Sequence, residues 1–239
     1  MAEKNKVMVF LSLCFAGIMV VPFIASCGKK AGSVTPSSAK ILMQVVNLSP
    51  DLQPVNLYVG LIQQSTGGFT YPTPSGYFSL TNINPPIQIR SYSSVISTVN
   101  LVNIDSVVFK PNFKYTLFVT GLRTTNTVTS IFTVDTAVNP TTGRGKVRFV
   151  NASPGSGMLD ITANDTLAFK ASAYKSVSKF VELPAGNYNF KVKPSGTSTI
   201  ISNFQSVTIV DGKLYTLYCR GVVNGADSVA FGMGIINNR

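Results

Sequence analysis

The feature that most limits what this chain can fold into is an internal repeat. Val45-Val46-Asn47-Leu48-Ser49-Pro50 is matched by Phe149-Val150-Asn151-Ala152-Ser153-Pro154 at an offset of 104. The next segment keeps that offset, Val55-Asn56-Leu57-Tyr58-Val59 against Leu159-Asp160-Ile161-Thr162-Ala163. Later, Tyr115-Thr116-Leu117-Phe118-Val119-Thr120-Gly121 matches Tyr215-Thr216-Leu217-Tyr218-Cys219-Arg220-Gly221 at an offset of 100. The order of matches is preserved and the offset drifts by four residues, as small loop deletions produce. Two copies of one domain are expected, copy 1 over 41–143 and copy 2 over 144–239, joined near Asn139-Pro140-Thr141-Thr142-Gly143.

From residue 41 onward there is no sustained 3.6-residue apolar period. Short alternating runs rich in Val, Ile, Thr, Tyr and Phe recur between Gly, Pro, Asn and Ser. In copy 2 they fall at 146–152, 158–163, 166–171, 178–183, 187–193, 199–210, 213–223 and 229–236. That density of short strands predicts an all-β chain of two tandem antiparallel β-sandwiches. The alternation of Val147 and Phe149 with Lys146 and Arg148, and of Phe190 and Val192 with Lys191 and Lys193, predicts one face inward and one in water.

The first 26 residues read as an export signal: Lys4 and Lys6, then an apolar run ending at Ile24-Ala25-Ser26. The run is just long enough for a membrane anchor, but Pro22 and the small residues before Cys27 favour cleavage. Ile24-Ala25-Ser26-Cys27 resembles a bacterial lipobox, which implies that Cys27 is diacylated and becomes the mature N-terminus. Residues 27–40 then form the lipid attachment and a flexible tether, GKKAGSVTPSSAK after the cysteine. The expected location is the cell envelope, on the outer membrane. Lys29 and Lys30 stand where Bacteroidetes surface lipoproteins carry an acidic export signal, so the periplasmic and surface-facing sides both stay open. Cys14 would leave with the signal, and Cys219, in an apolar alternating run, is expected as a buried thiol without a disulfide partner.

A strand ending in Val150-Asn151-Ala152-Ser153-Pro154, the turn Leu183-Pro184-Ala185-Gly186-Asn187-Tyr188 and the closing Tyr215-Thr216-Leu217 resemble the family numbered 4397 among domains of unknown function. Copy 1 keeps the first and last motifs and replaces the turn with Thr81-Asn82-Ile83-Asn84-Pro85-Pro86. The resemblance implies a small sandwich of the immunoglobulin or transthyretin kind in a bacterial envelope protein, and no reaction.

The chain contains no His, which removes Ser-His-Asp and Cys-His catalysis and most zinc sites. Its few carboxylates are dispersed, with only Asp160 and Asp165 close in sequence, so no catalytic residue, cofactor or metal site is expected. The repeated Asn47/Ser49 and Asn151/Ser153 elements suit either a turn that caps a strand or a polar ligand contact at a sandwich tip. Four Asp residues open an Asp–Ser/Thr–apolar triplet, where composition alone gives roughly 0.6. That triplet resembles an O-glycosylation sequon of Bacteroidetes envelope proteins, which would modify Ser106, Thr136, Thr166 and Ser228; an ordinary turn before a strand is the alternative.

The formal charge is +11, from 20 basic and 9 acidic residues, and it is uneven. Copy 1 holds 4 basic and 3 acidic residues, copy 2 holds 11 and 5. Lys146, Arg148, Lys191 and Lys193 are expected on outward strand faces, as a basic face toward an anionic glycan or another envelope protein, or simply as a solvated surface. Nucleic acid is not an expected partner, since no base-stacking motif interleaves with these cations. The function expected is therefore a non-enzymatic binding or structural module, held to the membrane by lipid. Carbohydrate binding is an alternative that, with no Trp, would rest on Tyr71, Tyr77, Tyr92 or Tyr174. Hydrolysis at an unrecognised carboxylate site is a second alternative.

Overall fold

A computed structural model describes residues 40–239 apart from 53, 66, 82 and 93–98. The expected signal, Cys27 and nearly all of the tether lie outside the described residues. Copy 1 contains β1 (Ile41–Asn47), β2 (Val55–Val59), β3 (Ile62–Gln63), β4 (Phe78–Leu80), β5 (Ile87–Ser91), β6 (Asn100–Ile104), β7 (Lys114–Thr120) and β8 (Thr129–Val134). Copy 2 contains β9 (Arg144–Asn151), β10 (Leu159–Ala163), β11 (Thr166–Ser172), β12 (Val181–Pro184), β13 (Gly186–Pro194), β14 (Ser202–Ile209), β15 (Leu214–Arg220) and β16 (Gly232–Asn237). A single 3-10 turn, Asp227–Val229, precedes β16.

Each copy folds into two four-stranded sheets of the same order. One is β4-β1-β7-β8 or β12-β9-β15-β16, here called the inner sheet; the other is β3-β2-β5-β6 or β11-β10-β13-β14, the outer sheet. The sequence repeat is thus a repeat of topology, strand for strand. One feature departs from a purely antiparallel sandwich: β1 runs parallel to β7, and β9 parallel to β15. The parallel direction brings the Asn-x-Ser-Pro tip after β1 and the Gly121 tip after β7 to the same end of the sheet, where they bond.

Each sandwich closes on its own core. In copy 1, Ile41, Met43 and Val45 of β1 meet Val55, Leu57 and Val59 of β2 and Ile87 and Ile89 of β5. In copy 2, Val147, Phe149, Leu159, Ile161, Phe190 and Val192 do the same. A third apolar cluster joins the two sandwiches through the other faces of the inner sheets: Val46, Leu48, Phe118 and Ile131 against Val150, Ala152, Tyr218 and Ile236. Phe118 and Tyr218, equivalent positions in the repeat, pack against each other as a tilted ring pair with centroids 5.8 Å apart. Counterpart meets counterpart, as in an isologous dimer interface, but within one chain. The central inner strands β1, β7, β9 and β15 are therefore buried on both faces, which explains near-continuous apolar runs such as Ile41–Asn47.

A closed ring of polar side chains crosses the same interface. Arg148 on β9 donates through Nε to Thr216 (2.9 Å), Thr216 donates to Asn238 Oδ1 (2.7 Å), and Asn238 Nδ2 donates to Tyr77 (2.9 Å). Tyr77 donates to Asp135 Oδ2 (2.8 Å), and Asp135 closes the ring by its ion pair with Arg148 Nη2. Thr116 and Thr133 also donate to Asp135, at 2.6 and 2.9 Å, and Arg148 Nη1 donates to Val134 O at 2.7 Å. Both charges are thus met by several hydrogen bonds, the condition under which a buried pair survives its desolvation cost. Gln44 and Asn238 occupy the repeat-equivalent positions of Arg148 and Asp135. Asp135 and Asn238 each donate their backbone N–H to equivalent carbonyls, of Lys114 and Leu214. The ion pair joins one residue from each copy, and the two repeat-equivalent positions, again one in each copy, carry neutral amides.

Candidate functional site

The Asn-x-Ser-Pro elements form a latch. Ser49 N–H donates to Asn47 Oδ1 (3.1 Å) and Ser49 Oγ donates to Gly121 O (2.8 Å). In copy 2, Ser153 repeats both bonds, to Asn151 Oδ1 (3.1 Å) and Gly221 O (2.6 Å). Asn47 Nδ2 donates to Phe69 O, and Asn151 Nδ2 to Ser172 O. All four side chains are buried, with their polar groups turned to the protein's own backbone rather than to a surface. Gly121 and Gly221 have φ of +94° and +69°, and a Cβ on either would sit 2.1 Å from the carbonyl oxygen of Thr127 or Ala230. Only glycine fits there. Asp51 supports the copy 1 latch: burial opposes its charge, but the amides of Thr124 and Arg123 hold its carboxyl below the usual range.

The four cations expected on one basic face separate. Lys146 and Arg148 lie on β9 of the inner sheet, and Lys191 and Lys193 on β13 of the outer sheet. Arg148 is 3% exposed, so it does not face water. The alternation of β9 holds, but the side opposite the core is covered by copy 1. Lys146 is held by Val138 O (2.9 Å) and lies 3.6 Å from Glu182. Lys191 and Lys193 do stand on the outside of the outer sheet. Lys191 bonds Asp165 at 2.6 Å, and this bond, with the charges of Lys191 and Lys193, holds the Asp165 carboxyl below the usual range. Lys170 on β11 joins them: Asp160, kept low chiefly by the Ala171 amide, also feels its charge. The outer face of copy 2 thus carries Lys170, Lys191 and Lys193, beside Asp160 and Asp165.

The corresponding face of copy 1 differs. In register, Asn56 pairs with Arg90 and Tyr58 with Gln88, where copy 2 pairs Asp160 with Lys193 and Thr162 with Lys191. Asn103 and Asn203 flank Gln88 and Lys191 at the equivalent place on β6 and β14. Here Arg90 stacks on Tyr58, with its guanidinium carbon 4.2 Å from the ring centroid. Tyr58 was not among the tyrosines expected as platforms, although its place between inward Leu57 and Val59 marks it as outward. Of those that were, Tyr77 is in the buried ring, where burial and then the Asp135 charge push its phenol up. Tyr71 lies under Arg220 and accepts its Nη1 bond at 2.8 Å, and Tyr174 is half-buried beside Thr120. Tyr92 is 46% exposed.

Burial pushes the Cys219 thiol up and keeps it inert. Among the described residues, no three His, Cys, Asp or Glu side chains lie close enough to hold a metal ion. A cavity of about 250 Å³ opens at the tip of copy 2, lined by Leu167, Leu183, Pro184 and Tyr188 with Thr166 at its edge. The Leu183–Tyr188 turn and one Asp–Thr triplet therefore meet. Ser106, Thr136, Thr166 and Ser228 all lie on exposed residues. Thr136 already accepts the Lys114 N–H at 2.9 Å. No helix among the described residues is long and apolar enough to cross a membrane.

The family model described as Domain of unknown function (DUF4397) matches residues 42–162 and again 145–232. The first match runs on into β9 and β10, the strands with which the second begins. No curated protein matches. A structure from Bacteroides eggerthii, provisionally called a cell adhesion protein, is 10% identical over 83% of this chain and 95% of its own, with a TM-score of 0.22. A leucine-rich repeat protein from Bacteroides thetaiotaomicron is 15% identical over 74% of this chain and 25% of its own, with a TM-score of 0.18. Scores this low carry no argument about fold or function.

Proposed function

The chain belongs to the DUF4397 family of domains of unknown function, in two copies, and we propose that it is a non-enzymatic binding module of the cell envelope. In this reading Cys27 carries lipid and holds the protein on the outer membrane, and the outer sheet of copy 2 engages an anionic glycan. The observation that supports it is the placement of Lys170, Lys191 and Lys193 on one exposed sheet face, while the inner sheets are covered by each other. Strands fix these cations in a plane, so a polyanion meets several without reordering them. The partial neutralisation of Lys191 by Asp165 leaves Lys193 and Lys170 as the less compensated charges.

The test is binding of the full-length protein in detergent to purified lipopolysaccharide at low and high salt. A cation near an anionic surface contributes about 1 kcal/mol. The pair of substitutions Lys191→Gln and Lys193→Gln is therefore expected to weaken binding about thirtyfold, and molar salt to abolish it. Unchanged affinity in the double variant would remove this face from the reading.

A further inference from the structure

Arg90 lies on the solvent side of the outer sheet of copy 1, in surroundings that fix its plane and one of its edges. Tyr58 lies beneath its guanidinium and is itself held by donating to Gln63 Oε1 at 3.0 Å. Gln88 Oε1 accepts from both Nε (3.0 Å) and Nη2 (2.5 Å) of Arg90. Gln88 Nε2 in turn donates to Asn103 Oδ1 (2.9 Å), and Asn103 Nδ2 to Asp105 Oδ1 (2.6 Å). The chain of bonds runs across β5 and β6 and orients every amide in it. No carboxylate pairs with Arg90 among the described residues.

Gln88 occupies the side of the guanidinium formed by Nε and Nη2. The opposite edge, Nη1 with the second hydrogen of Nη2, is a planar pair of donors that Gln88 does not use. Such a fork matches the two oxygens of a carboxylate, and pre-orientation lowers the entropy lost on binding. Between it and Asp105 stand the neutral amides of Gln88 and Asn103, which both donate to and accept from hydroxyls. Asn56, the register partner of Arg90, is 3% exposed and so lies below the face rather than on it.

We propose that this face binds a uronic-acid sugar, with the carboxylate on the Arg90 fork and ring hydroxyls on the amides of Gln88 and Asn103. An acidic peptide would use the fork but leave the amide row without its hydroxyls. The equivalent place in copy 2 holds Lys193, a point charge with no fork, so the carboxylate preference belongs to copy 1. The site extends the binding reading to copy 1 and is independent of the lysine face of copy 2.

The test is calorimetric titration of the full-length protein in detergent with oligo-glucuronate, a malto-oligosaccharide of equal length and a tetra-glutamate peptide. Binding of oligo-glucuronate alone is expected. It should weaken about tenfold or more in Arg90→Gln, and to a similar degree in Arg90→Lys, which keeps the charge but loses the fork. The titrations are repeated in the Lys191→Gln, Lys193→Gln background, where binding through the lysine face is removed and the Arg90-dependent binding should persist. Thermal melting of both Arg90 variants checks that they are folded. The proposal is overturned by an absence of oligo-glucuronate binding to the unsubstituted protein. It is equally overturned by equal binding of the neutral sugar or the peptide, or by full affinity in the folded Arg90 variants.

Discussion

Across the inner sheets, the two copies place like residues at like positions. Asn47 and Asn151, Ser49 and Ser153, and Gly121 and Gly221 make the same bonds to within 0.2 Å, and Phe118 packs against its own counterpart Tyr218. Across the outer sheets the same register positions carry different chemistry: Asn56, Tyr58, Gln88 and Arg90 in copy 1, and Asp160, Thr162, Lys191 and Lys193 in copy 2. The difference follows from what each face touches. A residue of the inner sheet is packed on both sides, so a change there must be answered by a neighbour. A residue on the outside of the outer sheet answers only to solvent and to whatever binds there. Within one chain, duplication has held the latch constant and left the outer faces free to diverge.

The inner sheets also contain a buried break in that likeness, and it yields the largest expected effect. Arg148 and Asp135 are charged, whereas Gln44 and Asn238 are not. Removing one charge by Arg148→Met strands Asp135 in a buried site and is expected to cost about 3–5 kcal/mol. The double variant Arg148→Gln, Asp135→Asn copies the neutral chemistry of the repeat-equivalent positions. It should return to within about 1 kcal/mol of the unsubstituted protein in urea unfolding. If the double variant is as unstable as the single one, the two halves of the ring are not interchangeable and the repeat relation at this interface fails.

A smaller effect sharpens the latch. Gly121→Ala and Gly221→Ala should each lose about 3 kcal/mol, and by similar amounts, because left-handed φ and a 2.1 Å clash with backbone act together. Gly155→Ala shares the positive φ (+72°) but meets nothing within 4 Å, and should lose only about 1–2 kcal/mol. Urea midpoints of the three variants rank them directly. Unequal losses at Gly121 and Gly221 would show that the two tips are not equivalent.

Much of this was legible in the chain itself. The repeat implied two sandwiches, and the eight alternating runs of the second copy became β9 to β16 with ends shifted by a few residues. Strand parity was also correct: Arg148 does point away from its own core. What alternation cannot reveal is the cover on the far side. Val46, Leu48 and Phe118 gave no sign that their partners were Val150, Ala152 and Tyr218, because that requires the docking of two sandwiches rather than the pattern of one. The same limit hid Arg90 and Tyr58. They are 32 residues apart and meet only through the register that sets Asn56 opposite Arg90 and Tyr58 opposite Gln88. Lys191 and Lys193 were readable as outward because nothing among the described residues packs over β13, whereas Lys146 and Arg148 had the same signature and a different neighbour.

The claim that binding belongs to the outer faces and cohesion to the inner ones is tested most directly by hydrogen–deuterium exchange with and without lipopolysaccharide. The expected result is further protection in 159–163 and 186–194 of copy 2, whose outer side meets the ligand, with no change in 41–47 and 114–120, which are covered on both faces. No change in β10 and β13, or altered exchange in the inner strands, would contradict it.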